Sequence, residues 1–244
     1  MGFGYIAAGM LFLFNPNISV FDVLPDFIGY LLIYHGLFRM SFSAQKLAAV
    51  RENCLWKLAL ITLLRVASLA LLPYTSQTFP LLIVFVCGVL EAIYFIPMTL
   101  ELFDGFYSLG TRYDSSSVFF PRVKTVKGKD GKRESVRSEG AEKLKAYTIG
   151  FFLIKTVAAV LPELTALQLT DNYDSNSRLH INLAQYKPLF YGFFGILTLI
   201  FGLVWLIRML RYLGGMRRDA ALRAYIDEYY RNNIAADPAF VAAL

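Results

Sequence analysis

The sequence predicts an all-α integral membrane protein of about six transmembrane helices, with a basic cytoplasmic loop and a C-terminal amphipathic helix. Three observations predict it. Of 244 residues, 57% are hydrophobic and only 17% charged, which is a membrane composition. The apolar residues gather in long runs, and about 20 such residues carry a helix across a hydrocarbon core of ~30 Å. Twenty of the 24 lysines and arginines fall on one side of a six-span arrangement, and retained positive charge marks the cytoplasmic side.

Four stretches follow from that division: 1–107 with the first four apolar segments, the loop 108–145, the last two spans in 146–209, and the tail 210–244. The opening "MGFGYIAAGMLFLF" has no basic start and no small-residue cleavage site, so a removed secretory signal is not expected. Ile6 stands where a myristoylation signal wants Ser or Thr, so no lipid anchor is expected. The first segment, 3–14, reaches only ~18 Å at ~1.5 Å per residue. Either "NPN" (Asn15–Asn17) interrupts a longer span, or 3–14 and 25–40 form a re-entrant pair; both readings stay open.

In "VFDVLPDFIGYLLIYHGLF" (20–38) the aspartates and proline read as a helix start. Pro25 loses no hydrogen bond in a first turn, and Asp22 and Asp26 suit the positive end of the helix dipole. This places 15–26 on the outer face. "DVLPDFIGYLLIYHGL" resembles the N-terminal part of uncharacterised small polytopic membrane proteins of bacteria, over about fifteen residues. The resemblance implies a bacterial inner-membrane location and brings no activity or site residue with it.

Segments 55–73 and 80–103 form the next antiparallel pair. Between 108 and 145 the apolar pattern stops, and "RVKTVKGKDGKRESVR" reads either as a basic β-hairpin around Asp130 and Gly131 or as a disordered loop. Its "GKDGKR" lacks the spacing of a phosphate-binding loop. Segments 146–168 and 188–209 form the last pair, with Gly192, Gly195 and Gly202 allowing close helix approach. In the tail, Leu222, Tyr225, Ile226 and Tyr229 share one face, with Asp219–Arg223 and Asp227–Arg231 as i, i+4 pairs. That face suits the inner leaflet or the protein's own cytoplasmic loop. "LLRVASLALLP" (63–73) and "LIKTVAAVLP" (153–162) form a faint repeat, as in transporters built from related halves.

Ionisable groups inside spans are costly, ~2.5–3.5 kcal/mol each on insertion scales, and so are functional candidates. His35, Arg65, Glu91 and Lys155 are of this kind, and Glu101 and Asp104 follow on the helix interrupted by Pro97. Arg65 and Glu91 are expected to pair across neighbouring helices. The hairpin mate of Lys155 offers no carboxylate, so its expected partners are Glu101, Asp104, a bound anion, or the inner face reached by snorkelling.

Enzyme, metal and cofactor signatures are missing: there is no H-E-x-x-H, G-x-S-x-G or C-x-x-C, and the only other histidine is His180 in the outer loop. "DNYDSNS" lacks the alternating ligands of a calcium loop. Cys54 and Cys87 read as packing residues. The expected partners are the lipid bilayer, a small anionic or polar solute and a cytoplasmic protein; the charge distribution calls for no nucleic acid. Transport or permeation of such a solute is the leading expectation, a non-catalytic scaffold or sensor the alternative, and an intramembrane enzyme the least supported.

Overall fold

The computed structural model describes residues 2–14, 25–40, 45–71, 74, 78–112, 123–127, 133–137, 139–166 and 187–236. Asn15–Asn17, Asp22, Asp130, Gly131, His180 and the "DNYDSNS" stretch lie outside the described residues. The helices are α1 (Phe3–Phe14), α2 (Asp26–Met40), α3 (Gln45–Val50), α4 (Trp56–Leu71), α5 (Thr78–Arg112), α6 (Glu139–Ala166) and α7 (Lys187–Ala236), with one π-helical turn, Arg51–Leu55, joining α3 to α4. Strands β1 (Val123–Lys127) and β2 (Arg133–Arg137) pair antiparallel, Val123 opposite Arg137 and Lys127 opposite Arg133.

Among the described residues, three helical stretches are long and apolar enough to cross a membrane: Leu47–Leu71, Phe79–Leu109 and Gly192–Tyr229. Their side chains are apolar on both sides. Leu60, Leu63, Leu64, Leu82, Ile93, Ile196, Ile200 and Ile207 face outward, while Leu55, Leu58, Phe106 and Trp205 are buried in the core. A helix apolar all round is suited to a membrane, or to the centre of a large protein.

The first two helices form an antiparallel pair held by glycines. A Cβ on Gly9 would lie 2.6 Å from the Gly29 carbonyl oxygen, and one on Gly36 2.8 Å from that of Gly2. The backbones touch where only glycine leaves room, a close approach that favours dispersion and weak Cα–H···O contacts. With 12 and 15 residues, α1 and α2 reach only ~18 and ~22 Å.

Aromatic stacking sets the depth register of the remaining helices. Phe95 of α5 stacks on Phe152 of α6 with ring centroids 3.5 Å apart. Phe151 of α6 stacks on Trp205 of α7 at 4.6 Å, and the Trp205 indole N–H donates to the Thr148 hydroxyl at 2.9 Å. Gly202 admits Phe14 and Phe151 to the α7 backbone, whereas a Cβ on Gly192 or Gly195 would meet nothing within 4 Å among the described residues. Of the three glycines expected to permit close packing, only Gly202 does so against the described residues.

The tail is not a separate surface helix, for α7 continues unbroken for 50 residues, from the last apolar segment to Ala236. Tyr212, Leu213 and Met216 stay buried, with Tyr212 against Phe103 and Phe106 of α5. Beyond them Leu222, Tyr225 and Tyr229 are exposed. Arg223 pairs with Asp227 at 3.1 Å rather than with Asp219, which is itself buried.

Candidate functional site

Four charged side chains from four helices are buried together in the bundle: Asp26 (1% exposed), Arg65 (6%), Glu91 (7%) and Lys155 (4%). The Lys155 ammonium lies 2.8 Å from both carboxylate oxygens of Asp26 and donates to the Leu13 carbonyl oxygen at 3.0 Å. It therefore joins the middle of α6 to the last turn of α1 and the first residue of α2. The Leu13 carbonyl belongs to the set at a helix C-terminus that has no partner within the helix. An ammonium satisfies it and complements the negative end of the dipole.

One turn on from Asp26, Tyr30 shares its face of α2 and is fully buried. Its hydroxyl donates to Glu91 Oε1 at 2.7 Å, and Arg65 Nη1 stands 3.7 Å from Glu91 Oε2. The expected Arg65–Glu91 contact is thus present, though longer than the Lys155–Asp26 contact. On α4, Thr62 and Ser68 turn their hydroxyls back to backbone carbonyls, which leaves that helix no buried polar burden besides Arg65.

Asp26 opens α2, as a helix start should, and also meets Lys155 from the middle of α6. One expectation for this region is corrected: Lys155 takes Asp26, not Glu101 or Asp104. The Phe95–Phe152 stack places Glu91 beside Lys155, and ten further residues of helix carry Glu101 ~15 Å away. Glu101 and Asp104 are half-buried on the C-terminal part of α5, and Glu101 Oε2 has no hydrogen-bond partner among the described residues. His35 is also apart: it is exposed on α2 and meets Tyr5 edge to face at 4.7 Å.

A crevice of about 10 Å³ opens beside the charges, lined by Arg65, Glu91, Lys155 and Thr156 among others. That is room for about one water molecule. Two basic groups and one carboxylate thus share its wall, and the basic groups are the corresponding residues of the faint 63–73 and 153–162 repeat. Among the described residues, no group of three or more His, Cys, Asp or Glu side chains is placed to hold a metal ion, and Cys54 and Cys87 are buried and not joined in a disulfide.

Sequence reasoning passed over Asp26 and Tyr30 as members of this cluster. The signal was the unbalanced Lys155: a buried cation without a carboxylate in its hairpin mate has to draw one from a distant segment. Comparison with protein-family models, curated proteins and solved structures returns no match for this chain.

Proposed function

We propose that this is a multi-pass protein of the bacterial cytoplasmic membrane that transports or passes a small polar or anionic solute. The observation that carries the reading is the position of Lys155. It binds the ends of two helices too short to cross a bilayer, beside a crevice lined by Arg65 and Glu91. Broken or re-entrant helices that end near the midplane are tolerated only within protein or at a water-filled cavity, and transport sites are built from such ends. On this reading α1 and α2 enter as a re-entrant hairpin from the cytoplasmic side, and α4, α5, α6 and α7 cross. The basic loop and tail face the cytoplasm.

Cation–aromatic pairs support the same depth. Arg39 lies over Tyr5 at 4.9 Å, Arg51 over Phe38 at 5.2 Å and Arg208 over Tyr147 at 4.6 Å. Tyr147 precedes Lys155 by eight residues, ~12 Å of helix. Basic and aromatic side chains collect at membrane interfaces, so the charged cluster falls near the middle of a ~30 Å core.

The experiment is uptake into liposomes carrying the purified protein, across a panel of small anions and neutral polar solutes. Flux above that of protein-free liposomes supports transport.

A second reading, a membrane scaffold or sensor that recruits a cytoplasmic protein, is favoured by one observation: the cluster is internally paired and its crevice has room for only about one water. Under that reading no solute crosses, and replacing Lys155 alters stability alone.

A further inference from the structure

One flank of α7 changes from apolar to basic within a single turn. Ile200, Val204 and Ile207 are exposed there, and Arg208 and Arg211, exposed as well, follow them. Spacings of three and four residues keep all five on the same side of the helix. Arg208 is held in place by α6: its guanidinium lies over the Tyr147 ring at 4.6 Å, and Tyr147 also packs against Phe201 at 5.9 Å. A guanidinium set over a ring face keeps its N–H edge for an anion.

Neither Arg208 nor Arg211 has an ion-pair partner among the described residues. The next carboxylate along α7, Asp219, is buried and stands eight residues beyond Arg211, ~12 Å of helix. On α6, Glu142 meets Lys145 at 2.6 Å. The two arginines thus end an apolar surface with nothing anionic to face.

We infer that this flank, with Tyr147, binds one anionic phospholipid, its phosphate between Arg208 and Arg211 and its acyl chains along Ile207, Val204 and Ile200. The inference rests on the membrane location proposed above and is independent of transport. Ile200 is eight residues, ~12 Å, from Arg208, within the ~15 Å that the chains of one leaflet fill. Arginine forks match phosphate oxygens through paired charge-assisted hydrogen bonds, and basic residues beside a span attract anionic headgroups. Free phosphate would leave the apolar part of the flank unused. A second copy fits poorly, because a two-fold axis along the membrane normal would set the same arginines against each other, and like charges facing across an interface are unfavourable.

The test offers the full chain, in non-ionic detergent, equal amounts of phosphatidylglycerol and phosphatidylcholine in mixed micelles, and native mass spectrometry counts the lipid retained. The wild type should keep one phosphatidylglycerol in preference to phosphatidylcholine. Arg208→Gln with Arg211→Gln should lower that preference about 10- to 30-fold. Arg217→Gln with Arg218→Gln removes the same charge ~9 Å or more beyond Arg211 and should leave the preference unchanged. Inorganic phosphate should not displace the lipid.

Equal retention of both lipids, equal losses in the two double variants, or displacement by inorganic phosphate would each overturn the lipid site. So would a quantitative disulfide between copies through Val204→Cys in liposomes, because a second copy would then cover the flank. If Arg208→Gln with Arg211→Gln does not fold, the wild-type lipid preference and the phosphate competition decide. Flotation reads the membrane location separately: a full chain that floats with liposomes keeps that location whichever lipid it retains, and one that stays in solution overturns both.

Discussion

Lys155 and Asp26, 129 positions apart, meet through two 2.8 Å contacts inside the bundle, and both are at least 95% buried. Removing one partner leaves the other charge desolvated. Lys155→Met or Asp26→Asn alone should each destabilise the protein by ~3–5 kcal/mol, the usual cost of a broken buried pair. The double substitution should cost clearly less than the sum. Reversible unfolding in detergent or bicelles, read as a double-mutant cycle, measures the coupling; additive losses contradict it.

Arg65 and Glu91 should couple as well, with Tyr30 as a third member. Tyr30→Phe removes one hydrogen bond to a charged acceptor and should cost ~1.5–3 kcal/mol. In an Arg65→Met, Glu91→Gln background the same change should cost less, because the acceptor is then neutral. An unchanged cost in that background would separate Tyr30 from the ion pair.

Glycine substitutions should divide by position. Gly9→Val places side-chain atoms against the Gly29 carbonyl and Ile33, an overpacking that costs ~1–3 kcal/mol or more. Gly195→Ala meets nothing within 4 Å among the described residues and should gain up to ~1 kcal/mol from better helix propensity. Melting temperatures that move in the opposite order would contradict the packing of α1 on α2.

The distribution of basic residues predicts sidedness. Single cysteines at positions 130 and 225 should be labelled from the cytoplasmic side by a membrane-impermeant maleimide, and one at 175 from the outside. Labelling of 130 from outside intact cells would invert the arrangement.

Apolar runs made the long helices legible in the sequence, because burial in lipid demands consecutive apolar residues and leaves a plain record. The Arg65–Glu91 contact was legible too, since antiparallel neighbours place both at similar depth. Asp26 was not. "LPD" is a good helix start wherever it lies, and local capping logic carries no information on whether that start is at a surface or level with the middle of another helix. The partner of Lys155 depended on contact across 129 positions, which no local pattern encodes. The continuity of α7 was hidden for a related reason: a change from apolar to charged composition marks a change of surroundings, not a break in the helix. Glu101 and Asp104 were expected beside Lys155 because its depth was judged without the Phe95–Phe152 register.

If Lys155 holds a re-entrant hairpin, the ends of α1 and α2 that it binds lie near the bilayer midplane, and nitroxide labels report that depth. Leu11 and Leu31 are exposed on α1 and α2 near those ends, Leu64 is exposed beside Arg65, and Phe38 is exposed toward the other end of α2. Spin labels at these four positions in a reconstituted bilayer, read by power saturation with oxygen and a water-soluble nickel chelate, report depth one by one. Labels at 11, 31 and 64 should lie deep in the hydrocarbon and the label at 38 near the cytoplasmic headgroups. A label at 11 or 31 level with the outer headgroups, while 64 stays deep, would contradict that arrangement.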